Sequence, residues 1–171
     1  MESLLLRSMI DQDHKETVSR FGEALRLHRY AILEDHGIDP DLLEQKMAID
    51  RSLFALPNIA DYKAESISHS GYFFEGKEYA ASARGGDKKR MWQMIREFAP
   101  SHPLYPASPK NIWPQEHPVM RKIYLSVYER FDELSRILLD LLECYLEAPT
   151  GYFLDRAKDG RSLVRTNYYP R

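Results

Sequence analysis

One apolar stripe constrains this chain more than any other feature. Met120, Ile123, Val127, Phe131, Leu134, Leu138, Leu141 and Tyr145 recur at three-and-four spacing, which places them on one side of an α-helix. The spacing predicts a helix from about 116 or 118 to 147, ended by Pro149. At about 1.5 Å of rise per residue it is roughly 45 Å long. A helix that long serves as a brace across a sheet or a bundle. At 171 residues the chain is the length of one domain, or of a large part of one.

The other elements are shorter. Asp13 suits the cap of a helix running to about Leu27, with Val18, Phe21, Ala24, Leu25 and His28 as its stripe. Tyr30-Ala31-Ile32-Leu33 reads as a buried strand closed by the turn Glu34-Asp35-His36-Gly37. Asp39-Pro40 opens a second helix, with Leu42, Leu43, Met47, Ile49, Leu53 and Phe54 as its apolar positions and Pro57 at its end. Gly71–Phe74 and Met91–Ile95 read as short strands joined through a flexible link, Ala80–Gly86. Residues 99–118 hold six of the ten prolines, which predicts an extended connection. Ser162–Pro170 reads as a strand.

Composition excludes several functions. Lys plus Arg is 24 and Asp plus Glu is 26, for a formal net charge of −2. That balance carries no nucleic-acid or membrane signal. The basic run Asp87-Lys88-Lys89-Arg90 reads as a solvated turn or strand end rather than a phosphate patch. Leu4-Leu5-Leu6 is too short for a signal-peptide core, so a cytoplasmic location is expected. Cys144, the single cysteine, sits among Leu141, Leu142, Tyr145 and Leu146 and is expected to be buried packing.

Metal chemistry would draw on the six histidines. His14-Lys15-Glu16 is the one His-x-carboxylate, but positions i and i+2 of a helix point apart, so it reads as a surface helix start. His36, His69, His102 and His117 have no partner at ligand spacing. There is no Cys-x-x-Cys, His-Glu-x-x-His, phosphate-binding glycine loop or Gly-x-Ser-x-Gly. The residues alone indicate no metal site and no catalytic nucleophile.

The final strand is the remaining candidate. Side chains alternate along a strand, so Arg165, Asn167 and Tyr169 share one face and Val164, Thr166 and Tyr168 the other. A cation, an amide and a phenol in a row suit a small carboxylate. A half-exposed strand with its polar face in water would carry the same residues.

The order of segments resembles the N-terminal part of the isopenicillin N synthase-like family of non-haem iron oxygenases, most of which use Fe(II) and 2-oxoglutarate. Ser8-Met9-Ile10-Asp11 stands where that family has a short opening strand. Arg29-Tyr30-Ala31-Ile32-Leu33-Glu34-Asp35-His36-Gly37-Ile38 is similar to its Gly-Phe-Phe-x-Val-x-Asn-His-Gly-Ile. Ser70-Gly71-Tyr72 and Asn111-Ile112-Trp113-Pro114, the latter followed by Arg121 and the long helix, match in order. Leu163–Pro170 resembles its Arg-x-Asn-x-Tyr-Pro strand.

The resemblance implies an α+β fold: an N-terminal helical portion, the first strands of a double-stranded β-helix, and one long bracing helix at about 116–147, with the barrel incomplete. Residues 1–171 would form a single incomplete domain: 8–115 mixed helix and strand, 116–147 the helix, 162–170 the first cosubstrate-lining strand. It implies cosubstrate-binding roles for Asn167 and Tyr169, with Arg165 in support through pairing with a nearby carboxylate. No catalytic residue and no metal ligand is expected within the chain. The family's His-x-Asp, later His and Arg-x-Ser would fall beyond Arg171. Fe(II) and 2-oxoglutarate are expected for the complete protein, and neither to bind tightly to this chain alone. The complete reaction would convert 2-oxoglutarate to succinate while oxidising a small organic substrate. The expected partners are that substrate and the remaining barrel half, with no nucleic acid or membrane. His69-Ser70-Gly71-Tyr72-Phe73 lacks the Arg that penicillin-forming members carry before this point. The chain is read as an incomplete product of such an oxygenase gene. The alternative is a non-catalytic binding or interaction module derived from the family.

Overall fold

The computed structural model describes residues 3–66, 68–76 and 88–170. The order is β1 (Leu4–Leu5), α1 (Leu6–Gln12), α2 (His14–His28), β2 (Leu33–Glu34), α3 (Pro40–Phe54), β3 (Gly71–Phe73), β4 (Arg90–Ile95), α4 (Met120–Tyr145), α5 (Leu154–Ala157) and β5 (Leu163–Tyr168), with two short 3₁₀ turns. The class is α+β. β1 and β2 pair in parallel, and β3-β4-β5 form an antiparallel sheet in that order. Among the described residues neither sheet closes into a barrel. The expected link Ala80–Gly86, and Asp87 of the basic run, lie outside the described residues.

The chain divides into two compact units, each assembled from distant stretches: Met1–Pro40 with Glu129–Gly160, and Asp41–Tyr128 with Arg161–Arg171. The stripe on α4 serves both. Met120, Tyr124 and Val127 are buried in the second unit, and Leu141 in the first. Phe131, between these sets, is exposed rather than part of the stripe's buried face.

In the first unit, the Asp13 side chain accepts from the Glu16 N–H at 3.0 Å and caps α2. Leu4, Leu6, Phe21 and Leu141 bury together, each contributing about 1.5–3 kcal/mol. At Gly22, α2 runs against α4 so closely that a Cβ would stand 2.0 Å from the Tyr145 ring. The Tyr145 hydroxyl donates to Glu23 at 2.7 Å, which holds the ring in place. Gly22→Ala is therefore expected to destabilise by about 1–3 kcal/mol through overpacking, more than offsetting the roughly 1 kcal/mol alanine gains over glycine in a helix. A raised urea midpoint in that variant would refute the contact. Beyond α4, the buried Glu143 carboxylate accepts from the N–H groups of Gly151, Phe153 and Leu154 at 2.8, 2.6 and 3.0 Å. Burial pushes its pKa up, but the three donors outweigh it and hold the carboxyl below its usual range.

Asp35-His36-Gly37 is the expected turn. The Asp35 carboxylate accepts from the N–H and hydroxyl of Ser8 at 3.0 and 2.5 Å, and His36 Nδ1 accepts from the Ile38 N–H at 3.1 Å. Three expectations fail in this unit. Tyr30–Leu33 is not a buried strand. Only Leu33–Glu34 pairs, because β1 is two residues long, and Tyr30 and Ile32 are 56% and 48% exposed. Ser8–Asp11 lies inside α1, and the opening strand precedes it. Cys144 is exposed, one turn after the exposed Asp140 on the solvent flank of α4, while Leu141 takes the core position.

In the second unit, α3 begins and ends as expected but buries a different face. Lys46, Asp50, Leu53 and Phe54 point inward, and Met47 is exposed. Lys46 Nζ donates to Asp50 Oδ2 at 2.7 Å and to Thr166 Oγ1 at 2.6 Å. The Thr166 hydroxyl donates to Asp50 Oδ2 at 3.1 Å, and the Tyr124 hydroxyl makes a short bond to Asp50 Oδ1. This satisfied network ties α3 to α4 and β5. Trp92, Met94, Leu53 and Met120 fill the core around it.

The proline-rich 99–118 stretch is extended apart from turns and a 3₁₀ turn at Tyr105–Ala107. Asn111 acts as a strand partner at the end of β4. Its Oδ1 accepts from the Ile95 N–H at 2.9 Å, and its Nδ2 donates to the Ile95 carbonyl at 2.8 Å. Glu97 then accepts from Asn111 Nδ2, Trp113 Nε1 and Arg121 at 3.2, 3.2 and 2.7 Å.

Candidate functional site

The β3-β4-β5 sheet positions the candidate residues. β5 pairs with β4 in the register Met91↔Asn167, Gln93↔Arg165 and Ile95↔Leu163, and β4 pairs with β3 through Gly71↔Gln93 and Phe73↔Met91. Directly opposed residues share a face. One face carries Tyr72, Trp92, Met94 and Thr166 into the core, and Tyr168 stacks on Phe54 with centroids 5.1 Å apart. The opposite face carries Gly71, Phe73, Met91, Gln93, Ile95, Leu163, Arg165 and Asn167.

Arg165 and Asn167 therefore lie on one face, as the alternation predicted. Tyr169 lies one residue past the end of β5, outside its paired register. Arg165 is half-buried, whereas Asn167 and Tyr169 are exposed. Arg165 donates from Nε and Nη2 to Gln93 Oε1 at 3.1 and 2.7 Å. Gln93 is 0% exposed, and its Nε2 donates to the His69 carbonyl at 2.9 Å. The sequence reading did not single out Gln93. The available signal was a lone amide inside the apolar run Met91–Ile95, which needs a polar partner when buried. Gly71 opposes Gln93 at φ 125°, where a Cβ would stand 2.6 Å from the Tyr62 carbonyl oxygen. Ser70 accepts from the Ile112 N–H at 3.1 Å.

The face thus presents a guanidinium fixed by a neutral amide, with the Asn167 amide toward solvent. These groups can hydrogen-bond a carboxylate or a keto oxygen. They are not a divalent-metal ligand set. Among the described residues, a cluster with metal-ligating atoms within 4.8 Å of one another lies elsewhere, at His14, Asp140 and Cys144. The sequence reading set His14 only against Glu16; Asp140 and Cys144 approach it through folding, not sequence spacing.

Residues 3–116 match the model of a family described as the non-haem dioxygenase in morphine synthesis N-terminal region. The chain belongs to this family. Among curated relatives, a 2-oxoglutarate-Fe(II) type oxidoreductase of Metarhizium rileyi is 26% identical over 158 residues, covering 86% of this chain and 45% of that protein. Flavanone 3-dioxygenase 2 of Oryza sativa subsp. japonica is 27% identical over 161 residues, covering 93% of this chain and 45% of that protein. The dioxygenase-family chain thus spans less than half the length of these relatives. A crystal structure of a 2OG-Fe(II) oxygenase family protein from Caulobacter crescentus superposes with a TM-score of 0.84 at 25% identity, over 96% of this chain and 54% of that one. An oxygenase from Shewanella oneidensis shares the fold at a TM-score of 0.65 and 20% identity, over 91% of this chain and 52% of that one. No helix among the described residues is long and apolar enough to cross a membrane.

Proposed function

We propose that this chain forms the N-terminal portion of a non-haem Fe(II)- and 2-oxoglutarate-dependent oxygenase that oxidises a small organic substrate in the cytoplasm. The observation that carries the reading is the face of β5, where Gln93 fixes Arg165 beside Asn167 in a chain of this family. The Asn167 amide would donate to or accept from the oxoacid, and the Tyr169 hydroxyl would donate to one of its oxygens. Arg165 keeps a positive charge at that face and acts as a positioning residue. In this reading β3, β4 and β5 are the first strands of the jelly roll. β5 lies at the edge of its sheet and accepts the next barrel strand.

The donors on this face fit 2-oxoglutarate. They do not fit iron, whose ligands in such enzymes are two imidazoles and a carboxylate, so no step through iron is assigned to these residues. On this proposal, residues 1–171 on their own are expected to show no turnover. Supplied with Fe(II) and 2-oxoglutarate, purified 1–171 is expected to form no succinate above a protein-free control. Sustained 2-oxoglutarate-dependent oxygen uptake would overturn that reading. In the coding DNA after Arg171, a His-x-Asp, a later His and an Arg-x-Ser would support it.

The edge position of β5 also suits a second reading, a non-catalytic module that pairs with another chain through that strand. A soluble, cooperatively unfolding, monomeric 1–171 favours the module. Aggregation of the isolated chain favours the oxygenase portion.

A further inference from the structure

His14 is the first residue of α2, and the Asp13 cap fixes the backbone at that point. Asp140 and Cys144 lie four residues apart on α4, so they share a helix face one turn apart. His14 Nε2 stands 4.0 Å from Asp140 Oδ2, and one ligand atom from each of the three residues lies within 4.8 Å of the other two.

The backbones that carry these side chains are held firmly. α2 and α4 share the core at Phe21 and Leu141. The Tyr145 ring abuts Gly22, and its hydroxyl bonds to Glu23 at 2.7 Å. Next to Cys144, the Glu143 carboxylate is fixed by three backbone N–H groups. The three ligand side chains themselves are exposed. In a tetrahedral zinc site with bonds of about 2.0–2.3 Å, ligand atoms stand roughly 3.3–3.8 Å apart. Each side chain therefore needs to move by only about 1 Å or less for closure.

We propose that His14, Asp140 and Cys144 bind one zinc-class divalent ion, with a water in the fourth position. A thiolate and an imidazole select zinc or cobalt over magnesium or calcium, which prefer all-oxygen sites. The thiolate and the carboxylate together neutralise the ion's double charge. The donor set differs from the two imidazoles and one carboxylate of a non-haem oxygenase centre, and the three residues belong to the first unit, whereas β5 belongs to the second.

The test is a Co(II) titration of the untagged 1–171 chain, because Co(II) bound to thiolate gives a near-ultraviolet charge-transfer band. The chain has one cysteine, so that band reports on Cys144 alone. One equivalent of Co(II) per monomer is expected, displaced by Zn(II). Cys144→Ser is expected to lose the band, while His14→Ala and Asp140→Ala weaken binding by about tenfold or more. His28→Ala, an exposed histidine elsewhere, should leave it unchanged. Zinc should raise the melting temperature of the wild type and not of Cys144→Ser. Circular dichroism confirms that each variant folds. Absence of the band, binding that survives His14→Ala and Asp140→Ala intact, or half an equivalent shared by two chains would overturn the site.

Discussion

Asp50→Ala is expected to lower the stability of the second unit by about 3–5 kcal/mol, read as a fall in the urea unfolding midpoint. The variant leaves the buried Lys46 ammonium, the Tyr124 hydroxyl and the Thr166 hydroxyl without their shared acceptor. Stranding a buried charge costs far more than the pair itself contributes, so the double variant Lys46→Met/Asp50→Leu should recover most of the loss. A cost below about 1 kcal/mol for Asp50→Ala would sink the assignment, since that is the range of an exposed ion pair.

The same network has an alkaline signature. Burial first, and then the adjacent Asp50 charge, hold the Tyr124 hydroxyl far above its ordinary value near 10. Below about pH 10 both folded and unfolded states keep the proton, and the contribution of Tyr124 is fully present. Above that pH the unfolded chain releases a proton the folded chain retains, so stability falls as pH rises. The stability of Tyr124→Phe should decline less between pH 9 and pH 11 than that of the wild type, as measured by urea midpoints at each pH. Parallel curves would show that Tyr124 ionises as freely in the fold as in the unfolded chain.

Asn111→Ala is expected to cost about 2–4 kcal/mol, because it leaves two buried backbone groups of Ile95 unpaired at about 1–3 kcal/mol each. Asn111→Asp keeps an acceptor for the Ile95 N–H but loses the donor. It also sets a second carboxylate against the Ile95 carbonyl and Glu97. It should be at least as damaging as alanine. Hydrogen exchange at the Ile95 amide is the direct check, since protection there is expected to drop in both variants. Unchanged protection would mean that another group satisfies the end of β4.

These two sites show how the sequence signals divide. Asn111-Ile112-Trp113-Pro114 and the following Arg121 were recognisable as a family pattern. Their work became visible only in the fold, where Asn111, Trp113 and Arg121 converge on Glu97. Their roles here are structural: they finish the end of β4. On α3 the apolar residues predicted the helix but not its buried face. Lys46 and Asp50 fall at the same helical phase as Leu53 and Phe54, a pattern that hydrophobicity conceals because a charge is scored as solvent-facing wherever it stands. The pair is buried because Tyr124 and Thr166, from two other elements, complete its hydrogen bonds.

The candidate site divides in the same way. Two-residue alternation alone put Arg165 and Asn167 on one face, since that period is a property of any strand; Tyr169 falls just past the strand's end. Alternation could not supply Gln93, because the bond between Gln93 and Arg165 depends on the register of β4 against β5, and register is a long-range choice.

The amino-acid sequence by itself determined the α2, α3 and α4 helices, the alternation of β5 and the family, because periodicity, caps and ordered motifs are local properties. Tertiary structure decided the rest. It divided the α4 stripe between two cores, turned Cys144 outward beside Asp140 and His14, buried Lys46 with Asp50, and set Gln93 against Arg165. Each of these depends on which distant segment packs opposite, and the energy of a buried or paired polar group is set by that neighbour rather than by its position in the chain.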